Sequence, residues 1–321
     1  MIRILNAEPK GYCINAREIL KSVGELYEEE LDREKLLRII GKYEILIVRL
    51  GIQVDKEALD AGHNLVAVVT ATTGLDHIDI QHAQKKGVKV LSLHGEADFL
   101  RKVGATAEHT WALLLALIRK VPQASRSVLN GYWDRDKFRG SELRGKRLGI
   151  LGLGRLGEKI ALYGNAFEMK VLAYDPFRTA WPNDVIRCSN LNALLSKSEI
   201  LSIHIPLNEK TKGLIGKQEL AVLLEDGILI NTSRGEIVDS HALIESLSEG
   251  HLAGAAVDVI EGERNAAMRD KNSLIAYAKT HSKLLITPHI GGATWESMAS
   301  TEVFMAKKLK TFLSDVEETT K

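Results

Sequence analysis

His289 sits in "TPHIGG", after Pro288 and before Gly291 and Gly292, at the end of the apolar run "LLIT". An imidazole there can satisfy the backbone of a tight turn, or it can give and take a proton near neutrality. The stretch alone leaves both uses open. Two further polar residues also follow short apolar runs, Arg234 in "ILINTSRGEIVD" and Asp258 in "AGAAVDVIEGE", with Glu263 shortly after the latter. Open α/β sheets bind their ligands outside the carboxyl ends of the strands, where such residues would lie. Singly, each has an ordinary use: a surface cation, a turn cap, a solvated loop carboxylate.

A second chemistry is written in "LGILGLGRLGEKIA", where Gly152, Gly154 and Gly157 take GxGxxG spacing between an apolar run and a helical pattern. The three glycines serve a tight turn, close backbone approach to a pyrophosphate, and helix–strand packing. The helix start offers free N–H groups and a partial positive charge to the diphosphate. The next run, "MKVLAYD", ends at Asp175, 18 residues beyond Gly157. A carboxylate at that spacing accepts from both ribose hydroxyls of NAD and repels a 2′-phosphate. Arg178 is a nearby cation that works in the other direction, toward NADP.

These residues need strands to carry them. Apolar runs recur as "IRIL", "EILIVRL", "NLVAVVT" and "VKVLSL", then "KRLGILGLG", "MKVLAYD", "EILSIHIP", "GILINTS", "LAGAAVDV" and "KLLITPH". Strands apolar nearly throughout fit a sheet buried on both faces, and their alternation with helix-length segments predicts a doubly wound α/β architecture. Helices are expected at 15–27, 55–61, 79–86, 106–120, 156–166, 217–224, 240–248 and 294–313. "TAEHTWALLLALIRK" (106–120) reads as a buried helix whose polar start and basic finish suit the dipole, and a domain crossover is expected there.

The totals narrow the class. A chain of 321 residues suggests two domains. Its net charge of +1, from 43 basic and 42 acidic residues, gives no electrostatic case for nucleic acid or an anionic membrane. Cys13 and Cys188 lie far apart with no CxxC, which argues against a disulfide framework, a zinc site or any other metal centre. The start "MIRILNAEP" is too short and polar for a signal peptide or membrane span, so a cytoplasmic, enzyme-like chain is expected.

In order along the chain, "TTGLDHID" (72–79), "GLGRLG", "HIPLNEKTKGLI" (204–215), "NTSRG" and "TPHIGGAT" resemble motifs of the D-isomer-specific 2-hydroxyacid dehydrogenases. The D-3-phosphoglycerate, glycerate and D-lactate dehydrogenases are among them. The resemblance implies Arg234 on the substrate's carboxylate and keto oxygen, His289 as general acid/base, and Glu263 on the far nitrogen of His289. It places Arg155 and Leu156 at the pyrophosphate turn, and His204 and Pro206 on the adenosine side. Thr232 and Ser233 would lie beside the cofactor, and Asp258, Gly291 and Gly292 near the nicotinamide. Backbone at Thr73 and Gly74 would approach the substrate carboxylate. Arg49 in "LIVRLG" aligns loosely with a substrate-side arginine, its alternative being a solvated strand-end residue.

Chemistry agrees with this implied set. Reducing a 2-keto acid needs hydride at C2 and a proton on the nascent alkoxide. A carboxylate beside a histidine favours the protonated ring that reduction requires, and an arginine fork engages two oxygens of an α-keto acid. The implied fold is a Rossmann NAD-binding domain, 104–288, inserted in a smaller flavodoxin-like substrate domain of 1–103 and 289–321. The implied activity is an NAD-dependent dehydrogenase of a D-2-hydroxy acid, with a phosphorylated substrate such as 3-phosphoglycerate among the candidates, working as a homodimer. The alternative class is an NAD(H)-sensing corepressor-like protein without turnover.

Two departures stand out. Where the family commonly has a proline after the glutamate, this chain has Arg264, and 264–282 is polar and longer than usual. The stretch "HGEADFLRKVG" between "VKVLSL" and "ATAEHT" also exceeds the common loop.

Overall fold

A computed structural model describes residues 1–319. The chain divides into two compact units, Met1–Val103 together with the chain from Ala293 onward, and Gly104–Gly292.

The first unit holds strands β1 (Arg3–Asn6), β2 (Glu25–Glu28), β3 (Ile45–Val48), β4 (Ala67–Thr70) and β5 (Lys89–Leu91). They form one parallel sheet in the order β2-β1-β3-β4-β5, the flavodoxin-like arrangement. β3 and β4 are buried along their whole length, which is why "ILIV" and "AVVT" carry no alternation. The helix Trp295–Thr319 belongs to this unit, packing Met305, Ala306, Leu309 and Leu313 among Ile4, Leu20 and Ile45.

The second unit holds β6 (Arg147–Leu151), β7 (Lys170–Tyr174), β8 (Ile186–Arg187), β9 (Ile200–Ile203), β10 (Gly227–Asn231), β11 (Leu252–Val257) and β12 (Leu284–Ile286). All are parallel, ordered β12-β11-β10-β9-β6-β7-β8. From β6 the chain steps outward through β7 to β8, then returns to the other flank of β6 as β9. That reversal places the topological switch between β6 and β9, where a doubly wound sheet binds its nucleotide. The helix Ala105–Ile118 crosses one face, with Trp111, Leu113, Leu114 and Ile118 buried in the core beside Ile150 and Ile230.

Three expectations about elements need correction. The helix expected over 15–27 ends at Lys21, and Glu25–Glu28 is the strand β2. "ELYE" is an exposed edge strand, so it has no apolar run to announce it; β8, the two-residue edge of the other sheet, is equally exposed. The polar stretch 264–282 is largely helical, as Ala266–Asp270 and Ser273–Ala278, capped by Asn265 and Asn272. Among the described residues no helix is long and apolar enough to cross a membrane.

Candidate active site

The glycine turn follows β6 at the switch point. Gly152 has φ +90°, and a Cβ there would come within 2.8 Å of the His204 carbonyl oxygen that follows β9. Gly157 is buried one helical turn on, where a Cβ would lie 2.2 Å from the Gly152 oxygen. Only a hydrogen fits at either place. Gly154 is different: nothing stands within 4 Å of where its Cβ would point. It precedes the helix Arg155–Ala166 and has no side chain to cap it, so no capping group occupies the helix start, where an anion can be received. The turn is thus shaped for a diphosphate, and its residues fit the NAD expected from the sequence. Burial lowers the Arg155 pKa below its ordinary value, a cost that an anion at this turn would offset.

Asp175 follows β7 and points back at the turn, accepting from Leu153 N at 3.0 Å and from Phe177 N at 2.9 Å. Arg178 is engaged by Glu158 at 2.6 Å and by the carbonyls of Leu153 and Ala180. Leu156 packs into the core beneath the turn. His204 hydrogen-bonds Ser202 Oγ through Nε2 at 2.7 Å, and its buried Nδ1 has no partner among the described residues. Burial pushes its pKa down to about 3, so the ring is neutral at any working pH. Pro206 is exposed, its carbonyl accepting from Thr211 Oγ1 at 2.7 Å.

Arg234, Asp258 and His289 follow β10, β11 and β12, three neighbouring strands. His289 has φ +54°, a left-handed conformation that a side chain adopts only when its surroundings enforce it. The enforcement comes from Asp258. Its carbonyl accepts from His289 N at 2.8 Å, and its carboxylate accepts from Ile290 N at 2.9 Å, Gly291 N at 2.7 Å and Thr287 Oγ1 at 2.6 Å. Asp258, expected at the nicotinamide, is 2% exposed with both oxygens engaged by protein donors. That geometry makes it the clamp of the histidine turn. Gly291 is pressed against it, its Cβ position 3.0 Å from Asp258 Oδ2, while Gly292 faces open space.

His289 Nδ1 lies 2.5 Å from Glu263 Oε1. The glutamate therefore reaches the ring without a following proline. Its loop is braced otherwise: Arg269 donates to the Glu263 carbonyl at 2.7 Å and Asn272 to that of Glu261 at 3.2 Å. Gly235, next to Arg234, is buried against this loop, with its Cβ position 2.2 Å from the Ile260 carbonyl carbon. The arginine-bearing and glutamate-bearing segments are thus in backbone contact, and Arg234, its guanidinium donating to the Ser233 carbonyl at 2.7 Å, follows its strand at the same end of the sheet as the Glu263–His289 pair.

Several supports were not singled out from the sequence. Buried Asn231 donates to the Arg234 carbonyl at 2.8 Å and accepts from Ser233 N at 3.0 Å and Ser233 Oγ at 2.7 Å, tying the loop into a knot. Thr232 points away from it, into the core, at 2.8 Å from Thr110 Oγ1. An asparagine ending a buried strand was the available signal; the polar residues of 106–110 read only as a helix start.

In the first unit, Thr73 is exposed after β4, and Thr72 Oγ1 donates to the Gly74 carbonyl at 2.8 Å. Arg49, following β3, is not a solvated strand end. It pairs with the buried Glu302, donates to the Lys10 carbonyl at 2.8 Å and lies 5.5 Å from the Tyr12 ring centroid.

The family described as D-isomer specific 2-hydroxyacid dehydrogenase, NAD binding domain, matches residues 111–291. A D-3-phosphoglycerate dehydrogenase of Archaeoglobus fulgidus is 38% identical over 281 residues, 87% of this chain and 51% of that protein. A hydroxypyruvate reductase of Thermotoga maritima is 33% identical over 309 residues, 95% and 94% of the two chains. The chain therefore spans about half the length of the first relative and nearly all of the second. The crystal structure of D-lactate dehydrogenase from Aquifex aeolicus, complexed with NAD and lactic acid, superposes with a TM-score of 0.84 at 29% identity, covering 98% of this chain and 96% of that one. The chain belongs to the D-isomer specific 2-hydroxyacid dehydrogenases, and residues 111–291 are their NAD-binding domain.

Proposed function

We propose that this protein reduces a 2-keto acid to the D-2-hydroxy acid with NADH, or runs the reverse oxidation. The observation that carries this is the 2.5 Å contact of His289 with Glu263 beside the Arg234 loop. Bound NADH supplies the hydride that C2 receives. With Nδ1 turned to Glu263, His289 has Nε2 left to give the alkoxide its proton. Glu263 stabilises the imidazolium before transfer, and Arg234 holds the carboxylate and keto oxygen. Asp175 takes the ribose hydroxyls, with the backbone at Thr232, and with Ser233, His204 and Pro206, along the cofactor. Arg178, held by Glu158, is engaged elsewhere than at a 2′-phosphate, which supports NAD over NADP. We assign Arg49, Thr73 and Gly74 to the substrate's acidic groups. A phosphorylated acid suits a family whose relatives include D-3-phosphoglycerate dehydrogenases.

The working form in this reading is a cytoplasmic homodimer. Free Cys13 and Cys188 suit a reducing compartment. The helix Val121–Leu129 buries no residue, and Leu129 and Trp133 are 84% and 88% exposed, an apolar strip suited to a second copy. Sedimentation tests this: Trp133→Asp should give monomers where the parent gives dimers.

Deuterium tests the reaction. With NADH labelled at C4 and a 2-keto acid, the label should appear at C2 of a D-configured product. An L product, or none labelled, would contradict the assignment.

A further inference from the structure

His109 and Thr110 are adjacent on the first turns of the helix Ala105–Ile118, and each reaches a different loop of the proposed site. His109 Nε2 lies 3.0 Å from Thr287 Oγ1 and 3.2 Å from Asp258 Oδ1. Thr287 already donates its hydroxyl hydrogen to Asp258. Its oxygen can then only accept, so Nε2 of His109 is the nitrogen that carries the hydrogen. Thr110 Oγ1 donates to the Thr106 carbonyl at 2.7 Å, so in its 2.8 Å contact with Thr232 it accepts. That contact is buried, and it anchors the residue two before Arg234.

We infer that the His109–Thr110 pair is a positioning device shared by both catalytic loops. Through Asp258 and Thr287, His109 fixes the left-handed turn that aims His289 at Glu263. Through Thr232, Thr110 fixes the loop that presents Arg234. Neither residue touches substrate or cofactor in this account. Both act from one rigid helix, whose buried face of Trp111, Leu113 and Leu114 keeps it seated on the sheet. The same turn backs the histidine loop from a second side, where Thr106 Cγ2 lies 3.3 Å from the Cβ position of Gly291. Sub-ångström placement matters here, because a displacement of about 1 Å in a reacting group can cost about 100-fold in rate.

The inference rests on the proposed reaction, and it makes the two neighbours separable by kinetics. His109→Phe keeps an aromatic ring but removes the donor. It should lower kcat by about 10–100-fold while KM for the keto acid stays near that of the parent. His109→Gln, which can place an N–H near the same spot, should restore most of that loss. Thr110→Val should act mainly on KM, raising it about tenfold, because the arginine that binds the acid has lost its anchor. Active-site titration with NADH corrects every value for unfolded protein. Equal effects of His109→Phe and Thr110→Val on kcat and KM, or no recovery with Gln, would overturn the inference.

A second readout is independent of turnover. Nitrogen-15 spectra of histidine-labelled protein report which ring nitrogen of neutral His289 carries the hydrogen. Contact with Glu263 holds it on Nδ1, whereas a free imidazole puts it mainly on Nε2. His109→Phe should shift His289 toward the free pattern and His109→Gln should not. An unchanged His289 signal in His109→Phe refutes the positioning role, even in a protein that turns over. A parent that binds NADH but reduces nothing refutes the proposed reaction instead, and the spectra then decide the positioning role alone.

Discussion

In the proposed reaction His289 is the residue on which the chemistry turns. Its ring meets Glu263 at 2.5 Å, and its backbone is held in a left-handed conformation by Asp258. His289→Ala should lower kcat by about 10²–10⁴, the usual contribution of a general acid/base, while NADH affinity stays near that of the parent. Stopped-flow turnover and equilibrium titration check the two halves separately; an unchanged kcat removes His289 from proton transfer. At this scale the sequence was readable where motifs join residues far apart, as with Glu263 and His289, which the fold brings into contact. It was not readable where one residue has two plausible partners. Asp258 could face a cofactor or its own turn, and only the fold shows five protein donors around its carboxylate and carbonyl, His109 among them.

The elements around the site show why glycine and asparagine cannot be exchanged freely there. Gly157→Ala would put a methyl 2.2 Å from the Gly152 oxygen, against backbone that cannot turn aside. Overpacking of that kind typically costs about 1–3 kcal/mol and would push the helix Arg155–Ala166 off the turn. NADH affinity should fall about tenfold or more while the acid/base residues stay intact, which isothermal titration can measure. Equal affinity in the variant would separate the glycine turn from the cofactor. The core strands were legible because burial on both faces leaves them apolar throughout, as in "ILIV" and "KRLGILGLG". β2 and β8 were not, since an exposed edge needs no such run. The stretch 264–282 reads as polar loop because its two helices are one or two turns long, and their asparagine caps also mark turns.

For the whole molecule, burial of His204 ties stability to pH. The unfolded chain takes up a proton on this ring near pH 6.5, and the folded chain does not until about 3. The contribution is therefore fully present above 6.5 and lost as pH falls toward 3, at up to about 1.4 kcal/mol per unit. Urea unfolding at pH 7.5 and 5.0 should show a smaller loss in His204→Gln than in the parent; identical losses would mean that the ring titrates freely in the fold. The doubly wound pattern of both sheets was readable apart from the edge strands β2 and β8, whereas the apolar strip at Leu129 and Trp133 was not, because nothing in its spacing separates a surface helix from a covered one. Above all of this stands the claim that the molecule turns substrate over. Purified protein with NADH and a panel of 2-keto acids, phosphorylated and sugar-derived acids included, tests it most directly at the nicotinamide absorbance. NADH should be consumed with at least one acid, and His289→Ala should abolish most of that rate; NADH binding with no oxidation across the panel would contradict turnover.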